Sequence, residues 1–310
     1  MMNGIFVLDK PVGMTSQQAV SRVKRILGAK KAGHGGTLDP DATGVLPVYL
    51  GQATRLSMYA LGGDKAYLAE ATFGFSTDTQ DASGKVVDKG DPSHLTEKLI
   101  TEALMQFVGT YEQLPPQFSA LKINGKPAYE LARQGIEVEL KPREVVIDDI
   151  QIEQILLTPS QHSVRFFVGC GKGTYIRTLC HDLGQALGVP AHMSSLRRTK
   201  SGMFSISEAH SLTDLEEYKW SLVQPMGNGV KHLPMVTLDD DLIVKILHGQ
   251  TVALTMSEGN ILLPNFHEFA IVRVHDQVDR LIAICEVLVD ARERINLRPQ
   301  KVFLIDEVGL

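Results

Sequence analysis

Apolar residues recur in this chain at two spacings, about 2 and about 3.6 residues, and the switches between them mark out strands and helices. Ile5 to Leu8 form an unbroken apolar run that predicts a strand over Gly4 to Leu8. Ala19, Val20, Val23, Ile26 and Leu27 then fall on one helical face, with Thr15 or Ser16 placed to cap the helix and Gly28 to end it. Lys65 to Phe75 alternates as a strand does, Ala66, Leu68 and Glu70 on one side, Tyr67, Ala69 and Ala71 on the other. Ser76 to Pro92 reads as a polar loop. Leu95, Leu99, Leu104 and Phe107 predict a helix opened by Ser93 and stopped at Gly109. Val145 to Leu156 and Ser163 to Cys170 read as strands, and Thr174 begins a helix that buries Ile176, Leu179, Leu183 and Leu187, with Arg177 at the edge of its stripe.

Two stretches break this pattern. Leu114 to Arg143 combines Pro115-Pro116, Asn124-Gly125 and Pro142 with Lys122, Lys126, Arg133, Lys141 and Arg143, the composition of a mobile, basic excursion from the core. Beyond Pro234 a short helix, Asp239 to Leu247, precedes brief strand-like runs at Ile261, Ala270, Leu281 and Val302, which predicts a small β-rich second domain. Periodicity alone therefore gives only a mixture of α and β, and 310 residues at 44% hydrophobic suffice for two cores.

Charge adds a location rather than a class. The net charge is −5, so the molecule is no general polycation. Arg22, Lys24, Arg25, Lys30 and Lys31 nevertheless follow one another without an acid between them, and Arg197, Arg198 and Lys200 form a second group; both read either as phosphate contacts or as ordinary solvated surface. Cys170, Cys180 and Cys285 make no paired framework, and the N-terminus has no signal-peptide core, so a reduced, cytoplasmic setting is expected. No apolar run approaches the roughly 18 residues of a membrane span.

Several motifs fail on spacing. Gly171-Lys172-Gly173-Thr174 lacks the hydroxyl residue directly after the lysine and the earlier glycine of a phosphate loop, and no GxGxxG opens a helix. Cys170, Cys180 and His181 are wrongly spaced for zinc. The informative stretch is Gly33-His34-Gly35-Gly36-Thr37-Leu38-Asp39-Pro40-Asp41-Ala42-Thr43-Gly44. Its glycines permit close backbone approach to a ligand, and Asp39 before Pro40 is biased to a conformation that presents its carboxylate outward. A capping aspartate in a tight turn has the same appearance, and a metal site at Asp39 and Asp41 lacks a third oxygen nearby.

This stretch resembles the G-H-x-G-x-L-D-P-x-A-T-G signature of the bacterial tRNA pseudouridine-55 synthase family, TruB, with Gly35 where threonine is usual. Three more stretches match in order: Asp9-Lys10-Pro11 with Gly13, Thr15 and Ser16; Asp64-Lys65-Ala66-Tyr67 with Gly74, Thr77-Asp78-Thr79 and Asp81; and Gly173 to Leu179, followed by Leu196-Arg197-Arg198-Thr199. The resemblance implies an α+β protein with the pseudouridine synthase fold, a mixed, largely antiparallel sheet flanked by helices. It assigns residues 1–246 to the catalytic domain, with an RNA-binding thumb at about 114–143, and residues 247–310 to a small PUA-like β-barrel.

It further implies isomerisation of a flipped uridine in the tRNA T-loop without cofactor or metal. Asp39 would be the catalytic carboxylate, Arg177 its partner, lowering its pKa, and Tyr67 the residue that stacks on the base and helps remove the C5 proton. His34, Tyr175, Leu196, Lys10 and Arg55 would bind substrate. The expected partner is the tRNA T-arm, met by a monomer needing no other protein and no membrane. Three alternatives remain at this stage: a guide-directed synthase that requires protein partners, a tRNA-folding chaperone, and phosphoryl transfer at Gly33 to Gly36.

Overall fold

The computed structural model describes residues 3–60, 63–119, 121–123, 125–136, 138–254, 270–289 and 294–303. The chain opens with β1 (Gly4–Lys10) and α1 (Ser16–Ile26), then β2 (Ala32–His34) and β3 (Thr43–Leu50). Thr15, not Ser16, caps α1: its hydroxyl accepts from the Gln18 N–H at 3.1 Å, while the Gln18 side chain accepts from the Thr15 N–H at 2.8 Å. A short helix, α2 (Ser57–Ala60), leads to β4 (Lys65–Phe73). Every second residue of β4 from Tyr67 is buried, as its alternation predicts.

The expected loop at 76–92 is instead largely a hairpin, β5 (Phe75–Thr77) with β6 (Val86–Lys89). All four residues of β6 are exposed, so no burial alternation marked it in the sequence. Next, α3 (Glu97–Met105) is capped by Thr96 and starts later than Ser93; it buries Ile100, Ala103 and Leu104 and leaves Leu99 exposed. After β7 (Gly109–Gln113) comes the basic excursion, which contains a hairpin, β8 (Lys122–Ile123) with β9 (Lys126–Pro127), and α4 (Ala128–Arg133). One amide closes its base: Gln117 donates to the Val138 carbonyl at 2.8 Å and accepts from the Val138 N–H at 3.2 Å.

The long hairpin β10 (Arg143–Thr158) and β11 (Gln161–Cys170) precedes α5 (Ile176–Ala186), β12 (Ala191–Ser201), β13 (Phe204–Ser205) and α6 (Leu212–Tyr218). These strands build one nine-stranded sheet in the order β1-β3-β12-β4-β11-β10-β7, with β13 on β12 and β2 on β3. Every pairing is antiparallel except β3 with β12. The sheet is therefore mixed and largely antiparallel, as expected.

A second, five-stranded sheet follows, formed by β14 (Met235–Thr237), β15 (Val252–Leu254), β16 (Ile271–His275), β17 (Leu281–Val289) and β18 (Ile295–Val302), with α7 (Asp240–Leu247) packed on it. It fits the PUA-like unit. Val236, Leu238, Ile243 and Ile246 belong to its core, which sets β14 and α7 with this sheet and puts the change of core ahead of position 246. The strand expected at Ile261 lies outside the described residues.

The large sheet is covered on both faces. Phe6, Leu8, Leu46, Val48 and Leu50 face the core shared with α1, α3, α5 and α6. Ile5, Val7, Val45 and Tyr49 face the opposite way, against Leu281, Ile284 and Phe303 of the C-terminal unit. The unbroken apolar run Ile5 to Leu8 is thus a strand buried on both sides. No described helix is long and apolar enough to cross a membrane.

The parallel contact of β3 with β12 imposes a glycine. Gly44 pairs with Arg198 at φ +101°, and a Cβ there would lie 2.2 Å from the Arg198 carbonyl oxygen and 2.8 Å from its nitrogen. Gly44→Ala combines left-handed strain with a backbone collision and is expected to cost at least about 3 kcal/mol. Urea unfolding checks this; a loss below about 1 kcal/mol contradicts it.

Candidate active site

The site is built around the turn between β2 and β3, which three side chains pin from beneath. Ser16, freed from capping, donates to the Leu38 carbonyl at 2.9 Å and accepts from the Leu38 N–H at 2.8 Å. Arg198 donates to the carbonyls of Gly36 and Thr37, each at 3.2 Å, and to that of Val45 at 2.7 Å. Lys10 donates to the carbonyls of Pro40 at 3.0 Å, Met14 at 2.7 Å and Pro11 at 2.9 Å. The Gly13 N–H also bonds the Pro40 carbonyl at 3.0 Å. Backbone on both sides of Asp39 is thereby fixed.

The Asp39 carboxylate meets Arg177. Arg177 Nε lies 3.0 Å from Asp39 Oδ2, with the guanidinium 7% exposed and the aspartate side chain 38% exposed. Arg177 sits in the first turn of α5, where its side chain is buried rather than directed to solvent. Its other nitrogens are also held: Nη1 donates to the Thr79 carbonyl at 3.0 Å and lies 3.6 Å from Asp81 Oδ2, and Nη2 donates to the Phe118 carbonyl at 2.9 Å. Asp81 is itself positioned by Thr79 and Ser83, whose hydroxyls donate to Oδ1 at 2.7 and 2.6 Å.

Withdrawal from water raises the Asp39 carboxyl above the ordinary carboxylate range; Arg177 opposes this, Asp81 adds to it and Lys10 lowers it again. Arg177 does favour the ionised form, as expected from the sequence, but burial is the larger influence and the net direction is upward. Tyr67 is pushed up to about 12, chiefly by burial, with Arg198 working against the rise and Asp39 adding to it. At neutral pH it is a phenol, not a phenolate. Burial, reinforced by Arg198, lowers His34, so its imidazole is neutral; its Nδ1 accepts the Gly36 N–H at 3.3 Å.

Tyr67 and Leu196 share one sheet face, since Tyr67 pairs with Arg198 and Ala69 with Leu196. Tyr175 caps α5 through its backbone: its N–H donates to Gln113 at 2.8 Å and its carbonyl accepts from Gln113 at 3.0 Å. The charges of Arg177 and Asp39 both act on its hydroxyl. Asp39, Arg177, Tyr67, His34, Tyr175 and Leu196 therefore gather around one turn.

Lys10 and Arg55, the other two residues expected to bind substrate, are engaged by carbonyls of the protein itself. Lys10 is fully buried, its ammonium taken up by three carbonyls, and burial lowers it to about 8 despite the neighbouring Asp41 and Asp39. Arg55 donates to the Val302 carbonyl at 2.7 Å and lies over the Phe303 ring, so it serves the contact between the two sheets. The Arg197 to Lys200 group divides by strand alternation: Arg198 points inward, while Arg197 pairs with Asp9 at 2.7 Å. The site roles of Asp81, Ser16 and Arg198 went unread in the sequence, although all three stand in the motifs that carry the resemblance. Among the described residues, no group of three or more histidine, cysteine or acidic side chains is arranged to hold a metal.

Comparison with known proteins adds a family to this geometry. Residues 24–176 match the model of the TruB family pseudouridylate synthase N-terminal domain, and residues 177–228 that of the tRNA pseudouridylate synthase B C-terminal domain. A tRNA pseudouridine synthase B of Symbiobacterium thermophilum is 48% identical over 82% of this chain and 84% of its own. That of Stutzerimonas stutzeri is 42% identical over 94% and 93%. Among solved structures, a Cbf5-Nop10-Gar1 complex aligns at TM-score 0.72 and 32% identity, covering 97% of this chain and 85% of the other. Fold and site together define a pseudouridine synthase. The chain belongs to the TruB family of these enzymes.

Removing the Lys10 ammonium strands three carbonyls and frees the turn at Pro40. Lys10→Met is expected to lower stability by about 2–3 kcal/mol, read by thermal unfolding. An unchanged midpoint contradicts the anchoring role.

Proposed function

We propose that this protein converts uridine to pseudouridine at position 55 in the T-loop of tRNA, working as a monomer in the cytoplasm and without a guide RNA or partner protein. The observation that carries the reading is the Asp39 carboxylate, fixed on a pinned turn 3.0 Å from Arg177 and still open to solvent. The bond from N1 to C1′ breaks, the base turns, C5 bonds to C1′, C5 loses its proton and N1 gains one. Asp39 must be ionised to act, whether by attack on the sugar or by removing the C2′ proton.

C1′ and C5 of a stacked nucleotide lie beyond reach of a side chain, so the uridine must flip out, at a reduced cost in a loop already partly splayed. His34 takes the space the uridine leaves, and Tyr175 and Leu196 line the base. Tyr67 stacks on it and relays the C5 proton as a neutral phenol. Lys126, Lys141 and Arg143, all exposed on the excursion after β7, suit phosphate contact.

Asp39→Asn tests the assignment. Because folding raises the carboxyl above its unfolded value, the ionised group opposes stability at neutral pH, and the amide relieves that opposition. The variant is expected to bind tRNA, to unfold no earlier than the parent and to form no pseudouridine. Retained turnover overturns the chemistry, and lost binding favours a role in folding tRNA.

The pH profile supplies a second test. Activity present above the Asp39 pKa is lost as pH falls through it, so the acid limb lies above the ordinary carboxylate range. Arg177→Gln removes an influence that lowers this pKa, so any remaining activity should fall off at still higher pH. A limb unmoved in the variant contradicts the pairing.

A further inference from the structure

Gly35 lies between His34 and the pinned backbone of Gly36 to Pro40, and its φ is not in the left-handed region, so backbone conformation does not demand a glycine there. Space does. A Cβ at position 35 would lie 3.0 Å from Cε2 and 3.4 Å from the hydroxyl oxygen of Tyr49. Tyr49 cannot easily retreat, because the other edge of its ring faces a second glycine: a Cβ at Gly229 would lie 3.2 Å from Tyr49 Cε1 and 2.7 Å from Ile5 Cδ1. The ring is fully buried and belongs to the core that joins the large sheet to the C-terminal unit, beside Val230, Leu281 and Phe303. Its hydroxyl has no hydrogen-bond partner among the described residues. The phenol is therefore held by shape, with its oxygen filling room that a side chain at position 35 would need.

We propose that Tyr49 is a positioning residue for the reaction assigned above. Its ring, wedged between Gly35 and Gly229, supports the turn that carries His34 and Asp39 from the side opposite the substrate, in place of the threonine usual in the family motif. Position 35 and position 49 are then one packing unit, and the turn is braced by the core between the two sheets.

The inference rests on the proposed synthase activity, and a four-protein cycle separates the two. Pseudouridine formation on a T-arm transcript is followed for the parent, Gly35→Thr, Tyr49→Val and the double variant, together with each thermal midpoint. Gly35→Thr overfills the site and Tyr49→Val removes the brace; each is expected to lower kcat about tenfold or more with a smaller change in KM, since a misplaced turn harms chemistry more than docking. The double variant should recover to within about threefold of the parent. A double variant no faster than either single one, or Gly35→Thr at parental kcat, overturns the proposal. If Gly35→Thr does not fold, Tyr49→Val against the double variant decides: the proposal requires the double to be the faster. If the parent forms no pseudouridine, the functional reading fails by itself, and the thermal midpoints still judge the pair, with recovery supporting it and simple additivity refuting it.

Discussion

Two buried cations and one buried hydroxyl hold the backbone of residues 36–40, and the rest of the site depends on that restraint. Arg198 and Lys10 hydrogen-bond carbonyl oxygens of the turn and its surroundings, and Arg198 the Tyr67 hydroxyl besides, but neither bonds a carboxylate among the described residues. A carbonyl dipole compensates a buried cation only partly, which is why burial lowers the pKa of both. The cost is accepted at a place where placement matters more than stability. With its flanking backbone tied down, Asp39 can meet Arg177 without closing the turn upon itself.

Arg177 then links the turn to two segments distant from it in sequence. One guanidinium reaches Asp39, the loop containing Thr79 and Asp81, and the Phe118 carbonyl at the root of the basic excursion. The amide of Gln113, on the strand leading into that excursion, fixes the first turn of the helix that carries Arg177. The root of the excursion is therefore joined by direct contact to the pair of Arg177 and Asp39.

Much of the fold was legible because burial and periodicity agree. Alternation from Tyr67 to Phe73 and the stripe Ile176, Leu179, Leu183 both name faces that the structure buries. Legibility failed where the deciding partner lay far away in the chain. The hairpin around residues 75–89 has an outer strand with no buried face, and the meaning of Ile5 to Leu8 needed a second sheet nearly 280 residues later. In the site, the motifs name Asp39, Arg177 and Tyr67, which the structure brings to one turn. For Lys10 and Arg55, expected to bind substrate, only the structure shows carbonyls within the protein as partners. Arg197 and Arg198 differ in fate because a strand turns successive side chains to opposite sides, a rule available from sequence alone had the strand been drawn through them.

The proposed reaction needs one carboxylate doing its chemistry within this chain alone. Its most direct test is to incubate the purified protein with a bare T-arm transcript, adding neither metal nor partner, and to map pseudouridine at nucleotide resolution. The account predicts a single modified uridine, in the T-loop. A transcript left unmodified, or modified only when a guide RNA or another protein is added, would contradict it.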